Sequence, residues 1–179
     1  MSGVRMKVCA VGLSAGALGA MPATAPAQDM GKVRDRAVRW AIAHAGLHER
    51  GSTNRSPQID RWERAMGIRI GQPWCGAFVH QAFLRAGVRL SARLIDPDRS
   101  YRDAQANRRG LRAISIRSVR RGDLLFFAFR QGLLASHFAI VRSRPRNGRV
   151  ATVEGNVSNA SRLEVRGLAY PVLAARVTG

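Results

Sequence analysis

Pro73-Trp74-Cys75-Gly76-Ala77-Phe78-Val79-His80-Gln81-Ala82-Phe83-Leu84-Arg85-Ala86-Gly87 is the stretch on which the reading of this chain turns. From Cys75, apolar residues recur at Phe78, Val79, Ala82, Phe83 and Ala86, the spacing of one buried helical face, and Gly87 suits the left-handed residue that closes a helix. Cys75 falls in the first turn, directly after Pro73-Trp74. Unpaired backbone N–H groups and the helix dipole favour negative charge there, which makes a thiol a better nucleophile. Cys75 also shares its stripe with Phe78 and Phe83, so it reads equally as one more buried hydrophobe.

Upstream, Lys32 to Ala45 sets Val33, Ala37, Val38, Ala41, Ile42 and Ala45 at helical spacing, and Ile59 to Met66 reads as a short helix ending at Gly67. Downstream, residues 89–121 hold ten Arg against three Asp, with a short helix expected from Asp98 to Ala106; they read as a surface segment. Beyond the turn signal Arg121-Gly122-Asp123 the texture is that of strands: Leu124–Phe129, His137–Arg142, Val150–Val153, Leu163–Val165 and Val172–Val177. Asp123 is expected to cap the turn into its strand. Helices first and strands after is the α+β pattern, with helices packed on one face of an antiparallel sheet.

The 179 residues suit one domain, and 46% hydrophobic content suffices for its core. Thirty Lys and Arg face 11 Asp and Glu, a net charge of +19, which excludes a neutral or acidic surface. Such basicity points either to nucleic acid or to an anionic cell surface. The N-terminus separates the two. Arg5 and Lys7 precede the small-residue apolar run Val8 to Ala20, and Ala25-Pro26-Ala27 supplies a cleavage site, so residues 1–27 read as a secretory signal peptide and 28–179 as the mature domain. The run is too short for a transmembrane anchor, which needs roughly 20 apolar residues. The mature chain would keep 152 residues and a charge of +17, in a secreted or periplasmic location where nucleic acid is not an expected partner.

Of two cysteines, Cys9 leaves with the signal peptide, so Cys75 is a lone thiol in an oxidising compartment where cysteines usually pair. A nucleophilic thiol needs a base. His80 lies about 140° around the helix from Cys75, and His44 and His48 sit among polar neighbours. His137 opens the apolar strand Phe138-Ala139-Ile140-Val141, and the next strand carries Glu154 and Asn156 on one face. A tight turn centred on Asn147-Gly148 would pair His137 with Ser158 and make Asn156 its diagonal neighbour. A longer loop centred near Pro145-Arg146 would set Glu154 directly opposite. Both registers keep all three on one face, where a carboxylate or an amide can orient the imidazole.

Four segments in this order, Pro73-Trp74-Cys75-Gly76-Ala77-Phe78-Val79, Arg121-Gly122-Asp123-Leu124-Leu125-Phe126-Phe127, Ser136-His137-Phe138-Ala139-Ile140-Val141 and Val153-Glu154-Gly155-Asn156, resemble the successive motifs of CHAP domains, the cysteine- and histidine-dependent amidohydrolases/peptidases. The resemblance runs from about Val33 to the C-terminus and does not extend in detail to residues 89–121. It implies a papain-like fold and cleavage of amide bonds in bacterial peptidoglycan. It also implies Cys75 as nucleophile, His137 as general base and then acid, Glu154 as the orienting carboxylate and Asn156 as an accessory polar group. No cofactor or metal is implied.

The Cys75 backbone N–H is the natural first oxyanion donor, and Gln72 is a candidate second. Trp74 would line the substrate groove or lie buried at the helix start. The expected partners are peptidoglycan and anionic envelope polymers, and use against rival cells would call for an immunity protein. The competing reading is a non-catalytic, basic envelope-binding protein on the same fold, in which Cys75 would be inert to iodoacetamide below pH 7. Nucleic-acid binding rests on charge alone, since Tyr101 is the one aromatic in 89–121.

Overall fold

Three of the four described helices start on a residue whose side chain caps them. The computed structural model describes residues 28–179, so the expected export segment lies outside it. In α1 (Met30–Ala43) the Asp29 carboxylate accepts from the Gly31 and Lys32 N–H groups. In α2 (Pro57–Ala65) Ser56 caps the Ile59 N–H and Pro57 sits where no N–H is needed; Asp96 and Pro97 repeat that device in α4 (Pro97–Gln105). Helix α3 (Cys75–Arg85) has no side-chain cap at Trp74, and Gly87 closes it at φ +97°. A 3-10 turn, Ala92–Ile95, lies between α3 and α4.

The strands are β1 (Leu111–Ile114), β2 (Leu124–Phe127), β3 (His137–Val141), β4 (Arg149–Val157), β5 (Ala160–Gly167) and β6 (Pro171–Val177). They form one antiparallel sheet in the order β1-β6-β2-β3-β4-β5. One sheet face, with Phe126, Phe138, Ile140, Val153 and Ala175, packs on Phe78, Val79 and Phe83 of α3 and on α1. Fully burying one such phenylalanine contributes about 1.5–3 kcal/mol. The opposite face is buried as well at its centre, where Leu125, Phe127, Ala139, Val141, Val150 and Ala174 meet Val119, Ile116 and Leu168. That second face, beginning at His137, carries the polar residues of interest.

Strand β1 lies inside the arginine-rich segment read as plain surface. Its four residues alternate too briefly around Arg112 to announce a strand, and it exists by pairing with β6, Leu111 opposite Val177 and Ile114 opposite Ala174. The β3–β4 turn is Asn147-Gly148, both at positive φ as a two-residue hairpin requires, with Arg146 bridging Arg149. Ser143, Arg144 and Pro145 then loop out, Pro145 having no N–H for the ladder. The pairing resumes as Val141 opposite Thr152 and Ile140 opposite Val153. Continued to His137, this sets Asn156 opposite, a register between the two expected.

Two glycines of the quoted segments bring β4 and the 3-10 turn onto the start of α3. A Cβ on Gly76 would collide with the Leu94 carbonyl oxygen, and one on Gly155 would meet Phe78 Cβ at 2.5 Å. Their absent side chains let Cys75 and the end of β4 approach each other.

Candidate active site

The loop before Cys75 is held by two carboxylates. Glu63, fully buried, accepts from the Gly71 N–H (2.7 Å) and the Gln72 N–H (3.0 Å). Burial pushes its carboxyl above the usual range, and those two bonds pull against the shift. Glu49 accepts from the Trp74 indole (2.8 Å) and the Asn54 N–H (2.7 Å). Trp74 is fully buried against Trp62 and Phe78, so of its two expected places it takes the core and not the groove. Gln72, oriented so that its amide oxygen meets Arg69 Nε and Nη2 at 2.9 Å, lines a neighbouring cavity and not the one at Cys75.

Cys75 and His137 line one cleft of about 450 Å³ and are 2% and 7% exposed. His137 Nε2 donates to Glu154 Oε2 at 2.9 Å, which leaves Nδ1 as the nitrogen for the Cys75 side. Burial alone would push this imidazole down in pKa. Hydrogen bonding and charge from Cys75 and Glu154 outweigh burial and hold it raised, to about 9. Glu154 is fully buried on β4 and ionised: burial pulls it up, but hydrogen bonds from His137, Arg166 and Thr152 lower it to about 2. Arg166 Nε and Nη2 reach its two oxygens at 3.0 and 2.8 Å, and Thr152 Oγ1 donates to Oε1 at 2.5 Å. The carboxylate thus meets a charged fork, a hydroxyl and the imidazole.

Asn156, expected beside His137, points elsewhere. The β4–β5 pairing shifts between Glu154 and Val157, and Asn156 sits at φ +60°, which breaks the strand's alternation. Oriented so that donors meet acceptors, its Nδ2 donates to Glu49 Oε1 (3.1 Å) and its Oδ1 accepts from the Trp74 N–H (3.2 Å). Asn156 therefore ties β4 to the residue preceding the thiol, and it lines the cleft from there. The other buried histidine, His80, faces away; burial lowers it, and its Nδ1 has no partner among the described residues.

Thr152 and Arg166 belong to none of the quoted motifs. Thr152 was within reach, since it lies two residues before Glu154 and so on the same face. Arg166 was not, because its place depends on the Ser158-Asn159 turn joining β4 to β5, and one arginine does not stand out in so basic a chain. The cleft rim carries Phe129, 58% exposed, Arg130 and Ser136, and the second cavity, about 390 Å³, shares Pro73, Arg130 and Ser136 with it. Asp123 does accept from the Arg120 N–H (2.8 Å), and it is also buried and paired bidentately with Arg176 (2.8 and 2.7 Å).

No family model matches the chain, and no curated protein matches its sequence. Solved structures do resemble it. A mutant of the Resuscitation Promoting Factor Interacting protein RipA superposes with a TM-score of 0.52 at 18% identity, over 83% of this chain and 63% of that one. The P60 domain of the M. avium subspecies paratuberculosis antigen MAP1204 gives 0.51 at 16% identity, over 84% of this chain and 98% of that domain. This chain thus spans under two thirds of the RipA structure and nearly all of the P60 domain. The likeness is one of fold, and it places the four helices and six-stranded antiparallel sheet of the described residues in the papain-like arrangement expected above.

Proposed function

We propose that this protein is an exported cysteine hydrolase that cleaves amide bonds of bacterial peptidoglycan, as an N-acetylmuramoyl-L-alanine amidase or a peptide endopeptidase. The observation that carries the reading is Cys75 and His137 lining one cleft, with the buried Glu154 hydrogen-bonded to the far nitrogen of His137. The motif resemblance to CHAP domains supplies the substrate class, and the fold shared with a P60 domain agrees with it.

In this reading Cys75 Sγ attacks the amide carbonyl carbon and the C–N bond breaks. His137 passes its Nδ1 proton to the departing amine, leaving a thioester. Water then attacks the thioester carbon, its proton goes to His137, and the C–S bond breaks to restore the thiolate. Glu154 fixes the ring through Nε2 in both steps. The uncapped first turn of α3, starting with the Cys75 N–H, supplies donors for the oxyanion.

The partners on this account are peptidoglycan and the anionic polymers around it, in a secreted or periplasmic setting after loss of residues 1–27. The arginine-rich segment is less available for that contact than its composition suggested. Arg93, Arg108 and Arg109 lie 3.4–4.0 Å from the buried Asp103, Arg99 pairs with Asp96, and Arg102 with Asp98. On the β3–β4 hairpin, Arg144, Arg146 and Arg149 are exposed and meet no carboxylate among the described residues. The test is release of muropeptide fragments from purified walls: residues 28–179 should release them, and Cys75→Ala and His137→Ala should not while remaining folded. Release by either variant would refute the mechanism.

A further inference from the structure

Arg166 takes no part in the chemistry above, yet its guanidinium lines the cleft and grips the carboxylate on which His137 depends. We propose that Arg166 is a positioning residue: by clamping both oxygens of Glu154 it fixes the carboxylate plane and compensates its charge, so that His137 is oriented yet still free to give up its proton. This rests on reading Cys75 and His137 as a nucleophile–base pair.

A fully buried carboxylate with an imidazole as its one charged partner would hold that imidazole's proton too firmly. Passing the proton to a leaving amine requires that it be released. A second, permanent cation on the carboxylate weakens its hold on the first, and an arginine cannot lose its own proton in compensation. The geometry matches this division of labour. Arg166 Nη2 (2.8 Å) and His137 Nε2 (2.9 Å) share Oε2, while Arg166 Nε (3.0 Å) and Thr152 share Oε1, so the carboxylate cannot rotate away from the ring.

Arg166 is itself held. Its guanidinium carbon lies 5.8 Å from the Phe127 ring centroid and 6.0 Å from that of Phe129, the two rings that also flank His137 at 6.0 and 5.9 Å. Arg162 is the residue opposite Glu154 in the β4–β5 ladder, but it turns outward to the Val157 carbonyl oxygen (3.1 Å). The titratable and charged groups around the site are therefore Cys75 and Glu154 at the ring, Arg166 at Glu154, and Glu164, opposite Thr152, acting on Arg166.

The test combines an NMR titration of the His137 ring, assigned through His137→Gln, with kinetics on muropeptides. Arg166→Gln should move the His137 titration upward and lower kcat by roughly 10-fold or more, the scale of losing an outer partner of a working histidine, with KM little changed. Arg166→Lys keeps the charge but not the fork: the titration should stay in place while kcat falls several-fold. An unmoved titration in Arg166→Gln, or an unchanged kcat in Arg166→Lys, overturns the proposal. Should Arg166→Gln not fold, the Arg166→Lys result decides. Failure of the hydrolase reading would look different: the wild-type chain would release nothing from walls, and the titration would still report whether Arg166 and His137 are coupled.

Discussion

His137 Nε2 lies 2.9 Å from a carboxylate oxygen of Glu154, a side chain with no exposure to solvent. The pair sets a pH window. With His137 raised to about 9, activity should hold through neutral pH and decline as pH rises through about 9, where the imidazolium is lost. The stability contributed by His137 is fully present below about 6.5 and disappears as pH climbs through the raised value. That contributed by Glu154, lowered to about 2, is complete above about 4.5 and is lost as pH falls toward 2. Glu154→Gln should lower His137 from that value, leaving the share of the rise that Cys75 supplies, and cut kcat on the order of 100-fold or more. A pH–rate profile whose alkaline limb lies near 6.5 in the wild type would contradict this.

Gly155→Ala places a methyl 2.5 Å from Phe78 Cβ and 3.1 Å from the Trp74 ring, where neither neighbour has room to retreat. The expected cost is about 1–3 kcal/mol, as for other overpacked cores. Urea unfolding should show a lower midpoint at unchanged slope, and activity should fall with it because β4 is pushed off the start of α3. An unchanged midpoint would mean the approach is looser than described.

Asp123 and Arg176 form the other buried pair, far from the thiol in role though part of the same sheet. Asp123→Asn leaves the guanidinium without its counter-charge at a side chain 19% exposed. The expected loss is about 3 kcal/mol, seen as a fall in Tm, while the pH–rate profile of the surviving folded enzyme keeps its shape. A shifted profile would show that Asp123 reaches the site after all.

Arg144, Arg146 and Arg149 crown the β3–β4 hairpin. Replacing all three with Gln should weaken sedimentation with intact walls and flatten its dependence on ionic strength, while turnover of a small soluble muropeptide stays as it was. If wall binding is unaffected, the electrostatic contact lies elsewhere on the surface.

Much of this arrangement is legible in the sequence, and the exceptions share a cause. Strand alternation sets His137 and Glu154 on one face, and the order of the four motifs joins Cys75, at the start of its helical stripe, to them. The choice between Glu154 and Asn156 was not legible, because it depends on three residues looping out at Pro145 and on one residue, Asn156, leaving the strand conformation. Strand β1 owes its place to β6, far along the chain, and Arg166 owes its place to the register of the β4–β5 hairpin in which it lies, so the pattern within either segment says nothing of it. Trp74 turned inward because Glu49, 25 residues away, waits for its indole N–H.

On the proposed function, Cys75 beside His137 hydrolyses peptidoglycan amide bonds. Mass spectrometry of purified sacculi after incubation with residues 28–179 tests it most directly, with Cys75→Ala run alongside. The wild-type digest should contain soluble fragments with new termini at one kind of amide bond, absent from the Cys75→Ala digest. Intact sacculi in the wild-type digest, or the same fragments in both, would contradict it.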